Sequence, residues 1–160
     1  MTVSNNKVWK SKTTNEEKTQ RFWVQSLLFK PRTHDDDRRR GVYDVFDTPQ
    51  GDFLITHIYP GAISAWHRHS KQTDYLFVIK GSLKIGLYDE QKKLLTFVYL
   101  HDQERITLKI PLKIWHGHKN VSADETILCY YISEKYNQNH PDEERAPIGS
   151  FGDNWNLQAK

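Results

Sequence analysis

Cysteine is almost missing from these 160 residues: Cys129 stands alone, so neither an internal disulfide nor a zinc-finger spacing is available. No apolar run approaches the roughly twenty residues of a spanning helix. The first residues, MTVSNNKVWKSKTTNEEK, carry charge but no apolar stretch, so no membrane or secretion signal is expected and the setting is expected to be cytoplasmic. Charge of one sign is scarce too. Lys and Arg number 23 against 20 Asp and Glu, a net +3, and the triplet Arg38-Arg39-Arg40 directly follows Asp35-Asp36-Asp37. A surface that tracks phosphates needs a sustained basic stripe, so long nucleic acid is excluded while a small anionic ligand is not. There is no internal repeat and no sustained apolar stripe of helical period; residues 142–145 read as one helical turn at most.

What is present is aromatic and histidine-rich: 12% Phe, Trp and Tyr, and eight His. Residues 1–20 read as a mobile arm and 21–160 as a single domain. Short β-type runs at 21–30, 41–46, 52–59, 74–80, 82–88, 94–100, 105–110 and 125–133 are separated by turn residues. Leu83, Ile85 and Leu87 alternate with Lys84, Gly86 and Tyr88 as in a half-buried strand, and residues 75–79 read as deeper. Many short strands at this spacing predict an all-β sandwich or barrel.

Two segments concentrate the chemistry: Gly61 to Gly81, with Trp66, His67, His69 and Asp74, and Ile110 to Asn120, with Trp115, His116, Gly117 and His118. In an extended strand residues two apart share a face, so His67 and His69 point the same way. A short loop lets Asp74 re-enter facing the same space, and Pro111 fixes the chain ahead of His116. A fold that joins the segments collects three imidazoles and a carboxylate. That set suits one divalent transition metal, iron, zinc, nickel or manganese, with positions open for substrate. It equally suits a metal-free pocket of hydrogen-bonded histidines, so the cofactor expectation is none or one such ion. Trp66 and Trp115, each just before a key histidine, are expected to line the pocket. Arg40 has the fork of donors a phosphate takes. Either Tyr130 or Tyr131 faces inward, and a turn at Gly117 would aim His118 away from His116.

On these segments the chain resembles a cupin. Gly61 to Gly81 follows G-x5-H-x-H-x4-E-x6-G with Asp74 in place of Glu, and Pro111, Lys113, His116 and Asn120 follow P-x-G-x2-H-x3-N with Lys113 in place of Gly. The resemblance implies a double-stranded β-helix, the cupin jelly roll, with its site in the barrel mouth. Over roughly residues 22–155 it is narrower, being similar to the dTDP-4-dehydrorhamnose 3,5-epimerase branch. That likeness rests on Asp37 through Arg40 and Gly41 to Tyr43, on Trp66 through Gln72 to Tyr75, on Ile110-Pro111 through His116-Gly117, and on Tyr136 through Arg145. It implies a nucleotide-linked 4-keto-6-deoxy sugar as substrate and a homodimer in which N-terminal strands cross to the partner. His67 would remove a proton beside the keto group and Tyr130 would return one, with Arg40, Tyr43, Gln72, Tyr75, Trp66 and Trp115 around the substrate.

Three departures qualify the likeness. The family's enolate-stabilising lysine falls on Asp74, its diphosphate-gripping arginine falls on Ser64, and the carboxylate that orients the base has no counterpart in register before Trp155, Asp153 being offset. An aspartate beside a developing enolate opposes the reaction by roughly 1–4 kcal/mol at ~4 Å. A divalent ion held by Asp74 and the histidines reverses that sign and polarises the ketone. The metal set is then His67, His69, Asp74 and His116. If His67 ligates, the proton passes instead to Tyr130, Tyr75 or a hydroxide on the metal. Two other classes share these residues: a metal-dependent cupin oxygenase or isomerase acting on another small molecule, and a binding module without catalysis.

Overall fold

The computed structural model describes residues 14–46 and 48–156. The chain divides into two compact units, Met1–Lys30 and Pro31–Lys160.

The first unit carries α1 (Asn15–Leu27). This corrects the strand expected over 21–30 and places helix inside the stretch expected to be an arm, of which residues 1–13 lie outside the described residues. The apolar run at 22–24 and 27–29 is short enough to fit either period, and length alone decides between them. None of the helices among the described residues is long and apolar enough to cross a membrane.

The second unit is built from strands. In chain order they are β1 (Arg32–Asp35), β2 (Arg39–Tyr43), β3 (Asp52–Ile58), β4 (Ile63–Arg68), β5 (Asp74–Lys80) and β6 (Ser82–Asp89). Then follow β7 (Leu94–His101), β8 (Thr107–Ile110), β9 (Trp115–Asn120), β10 (Thr126–Ile132) and β11 (Glu144–Arg145). They form two antiparallel sheets, one ordered β1-β2-β3-β10-β5-β8 and the other β11-β4-β9-β6-β7. This is the jelly roll expected from the sequence. The turn expected at 142–145 is instead β11, which pairs with β4.

Alternation places the core between the sheets. Leu54, Ile58, Leu76, Val78, Leu83, Ile85, Leu128 and Ile132 all point inward and are buried. On β5 the pattern is a plain alternation rather than the deep burial expected: Tyr75 and Phe77 are half-buried and Ile79 is 48% exposed. Asn120, the motif asparagine, closes the bottom of the fold. Its amide donates to the carbonyls of Ile58 (2.8 Å) and Asp124 (2.9 Å) and accepts from the Ser122 amide and the Thr126 hydroxyl.

A second core covers the outer face of the smaller sheet. Trp66, Trp115 and Trp155 are buried there against Tyr88, Phe97 and Phe151. The segment ending at Asn156 lies over that face, so Lys84 is buried rather than solvated. Its ammonium donates to the carbonyls of Asn154 (2.7 Å) and Asn156 (2.9 Å) and sits 4.3 Å from the Phe97 ring. Asp153 holds this segment by accepting from the Trp155 indole (2.6 Å) and the Gly149 amide (3.0 Å).

Gly117 lets β4 and β9 approach closely. A Cβ there would lie 2.3 Å from the Ala65 methyl and 2.8 Å from the Ser64 carbonyl oxygen. Gly117→Ala is therefore expected to destabilise the fold by roughly 1–3 kcal/mol. Urea unfolding checks this: the midpoint falls at an unchanged slope, and an unchanged midpoint refutes the close approach.

Candidate functional site

The open end of the sandwich is a cavity of about 120 Å³, continuous with solvent. β4 contributes His67 to its wall, with His69 one residue past the strand; β5 contributes Asp74 and β9 the adjoining His116. Ligand-type atoms of His67, His69, Asp74 and His116 all lie within 4.8 Å of one another. The two histidine segments, nearly fifty residues apart, thus meet in one place because β4 and β9 are neighbours, with His67 opposite His116.

Two of the imidazoles are aimed by backbone carbonyls. His116 donates Nδ1–H to the Ile114 oxygen (2.9 Å), and His69 donates its own to the Asp142 oxygen. Each therefore turns Nε2 toward the same Asp74 oxygen, Oδ2, at 3.1 Å and 3.5 Å: protonated, that nitrogen donates to the carboxylate, and deprotonated, its lone pair is available to a metal. The other oxygen of Asp74 accepts from the Gln72 amide at 2.6 Å. Carbonyl-fixed tautomers converging on a carboxylate are the donor arrangement a divalent ion requires. Burial alone would raise the Asp74 carboxyl, but the hydrogen bonds from His116 and His69 outweigh it and hold the group well below the usual carboxylate range.

His67 differs. Its ring packs 4.1 Å from that of His116, yet among the described residues no carboxylate comes within ion-pair distance of it. Burial, then the neighbouring His116 and His69, hold it neutral, far below its ordinary value.

The 142 region locks the ligand loop. The Asp142 carboxylate accepts from the backbone amides of Ser70 (3.1 Å), Lys71 (2.7 Å) and Gln72 (3.0 Å), and from the Ser70 hydroxyl. Lys113 takes the glycine position of the second motif at φ +65° and donates its amide to the His69 carbonyl at 2.8 Å. A left-handed backbone at that point explains why glycine is the motif residue.

Across the cavity, on the larger sheet, stands Tyr130. Its hydroxyl lies 3.1 Å from Nδ1 of His118, and both side chains are buried. No turn occurs at Gly117: His116 and His118 sit on one strand facing inward. Burial pushes His118 down to about 3, and burial raises the Tyr130 phenol well above its ordinary value.

Several expected positions are corrected by the parity of the strands. Trp66 and Trp115 do not line the cavity. Each adjoins an inward histidine on its strand and so faces the opposite side of the sheet, where an irregularity in β4 between Ser64 and His67 places Ala65 as well. Tyr75 neighbours Asp74 on β5 and so faces outward, beside Tyr131 and Lys109. Arg40 also faces outward and pairs with Glu125 at 3.0 Å. Arg39 lines the cavity in its place, with Tyr43, which stacks on Tyr136 at 5.5 Å. Gln72 is in the cavity, as is Ser64. Asp153 is engaged with Trp155 and Gly149 and does not orient His67.

Residues 34–144 match the family described as polysaccharide biosynthesis C-terminal domain. The probable low-salt glycan biosynthesis epimerase Agl13 of Haloferax volcanii is 32% identical over 125 residues, covering 69% of this chain and 80% of that one. The spore coat polysaccharide biosynthesis protein SpsL of Bacillus subtilis is 32% identical over 107 residues, covering 62% of this chain and 71% of the other. Among solved structures, the capsular polysaccharide assembling protein CapF from Staphylococcus aureus superposes with a TM-score of 0.70 at 17% identity. That match covers 78% of this chain but only 34% of CapF, so the chain spans about a third of it, and the likeness establishes the cupin fold alone.

Proposed function

This chain belongs to the polysaccharide biosynthesis C-terminal domain family, and from that premise we propose that it epimerises a nucleotide-linked 4-keto-6-deoxy sugar. The observation that carries the proposal is the placement of His67 and Tyr130 on facing sheets around one cavity, with His69, Asp74 and His116 beside them. Epimerisation at carbon next to a ketone needs a proton removed from one face and another delivered to the opposite face. Base and acid on opposing walls meet that requirement.

His69, Asp74 and His116 would hold the divalent ion, which when bound supplies a Lewis acid for the keto oxygen. The remaining work belongs to the chain. Neutral His67, without a carboxylate partner, takes the proton. Tyr130 returns one from the far wall. Gln72 holds Asp74 in place.

Arg39 is the cavity residue suited to the diphosphate, since a guanidinium fork grips phosphate oxygens in pairs. A charge-assisted contact of this kind is worth about 1.5–3 kcal/mol, or roughly tenfold to a hundredfold in affinity. Arg39→Gln is expected to weaken binding of a nucleoside diphosphate by that factor, while Arg40→Gln changes it by less than about twofold. Calorimetry with both variants decides between the arginines, and the reverse ranking would return the role to Arg40.

The test of the reaction is isotope exchange. Incubated in heavy water with a dTDP- or UDP-linked 4-keto-6-deoxyhexose, the protein is expected to exchange the hydrogen beside the keto group. No exchange at high protein concentration refutes an epimerase and leaves a binding module or a different metal-dependent reaction.

A further inference from the structure

The phenol of Tyr130 has one proton and two lone pairs, and where that proton points decides whether the group can act as an acid toward the cavity. Among the described residues its hydroxyl has a single hydrogen-bond partner, Nδ1 of His118 at 3.1 Å. The opposite nitrogen of that ring, Nε2, is buried with no partner. The ring can therefore be arranged in two ways. With the proton on Nε2, a buried N–H is orphaned and the phenol must spend its own proton on Nδ1. With the proton on Nδ1, the ring donates to the phenol oxygen, a bare lone pair is left on Nε2, and the phenol proton, on a residue that lines the solvent-continuous cavity, is free to turn into that space and meet a partner there. Orphaned buried donors are rarer in folded proteins than under-used acceptors, so the second arrangement prevails.

We propose that His118 is a positioning residue for Tyr130, donating Nδ1–H to the phenol oxygen so that the phenol proton is aimed into the cavity. The proposal rests on the reading of Tyr130 as the group that returns the proton. Its balance is simple. The C–H bond beside the ketone breaks and its proton goes to His67; a new C–H bond forms with the Tyr130 proton. The phenolate left behind is stabilised by the His118 N–H until water at the cavity mouth reprotonates it, and the His67 imidazolium loses its proton to the same water. A donor already aimed at the oxygen where charge develops needs no reorganisation when the proton leaves.

Two measurements test this, one independent of substrate. Nitrogen-15 NMR of zinc-loaded protein, with the ring signals identified by their loss in His118→Phe, is expected to show the Nδ1–H tautomer. The Nε2–H tautomer overturns the proposal outright. In turnover of the 4-keto sugar nucleotide, His118→Phe is expected to lower kcat by about tenfold to a hundredfold with KM and bound metal unchanged. His118→Asn, whose amide N–H stands where Nδ1–H stood, is expected to recover most of that loss. Added to Tyr130→Phe, His118→Phe is expected to have no further effect; an equal loss in that background means general distortion and overturns the proposal. If wild-type protein exchanges no hydrogen with the probe, the epimerase reading falls, and the tautomer alone still decides the role of His118.

Discussion

Asp74→Asn is expected to leave the chain folded but to weaken divalent-metal binding by more than about a hundredfold, as measured by elemental analysis after dialysis. Apart from this one carboxylate, whose Oδ2 lies 3.1 Å from His116 and 3.5 Å from His69, the donors that converge are imidazoles, which carry no negative charge. A divalent charge among buried donors needs a counter-charge, and an amide of the same shape provides none. Losing a group that merely orients a ligand costs about tenfold to a hundredfold in affinity, so losing the charged ligand itself costs more. The asparagine keeps the contact with Gln72, which separates lost charge from lost packing. Acidification acts in the same direction. Burial works against protonating His69, but its contacts with Asp74 raise it above the ordinary imidazole value, so protons compete for its Nε2 and metal affinity falls as pH drops through that raised value. Equal metal in wild type and Asp74→Asn would dismiss the assignment, and no metal in either would return these residues to ordinary pocket polarity.

His67→Gln and Tyr130→Phe are expected to fail in different ways. His67 sits on β4 in one sheet and Tyr130 on β10 in the other. Removing the base stops hydrogen exchange and product together, by about 10²–10⁴-fold. Removing the acid leaves exchange from the first face largely intact while the epimer forms slower by a similar factor. Mass spectrometry in heavy water follows both quantities in one sample. His67→Gln is also expected to retain its metal, because His69, Asp74 and His116 remain. Metal lost from His67→Gln to the extent seen in Asp74→Asn would make His67 a ligand and leave the first proton transfer to another group.

The jelly roll was readable in the chain because its strands alternate. Leu83, Ile85 and Leu87 point inward as their spacing requires. The ligand strands β4 and β9 were not readable as strands, since histidine, glycine and tryptophan interrupt the apolar rhythm, yet motif spacing located their residues. What failed was mostly parity. Arg40 and Tyr43 were expected in one site, but residues three apart on a strand face opposite ways, so the signal for Arg39 was available. Trp66 adjoins His67 and was readable by the same rule; Ser64 and Ala65 were harder, because the irregularity in β4 has no marker in the sequence. Lys84 is buried by a segment seventy residues later, which no local pattern reports. Asp142 was invisible for a similar reason: its carbonyl and carboxylate act on a loop far back in the chain.

That last clamp has a mechanical meaning. Asp142 grips residues 70–72 with its side chain while its backbone oxygen fixes the His69 ring, and the next residues, Glu143 and Arg145, form cavity wall. The rim and the imidazole therefore travel as one rigid lever. The rim and the His69 ring are thus joined through a single residue, with no intervening loop between them.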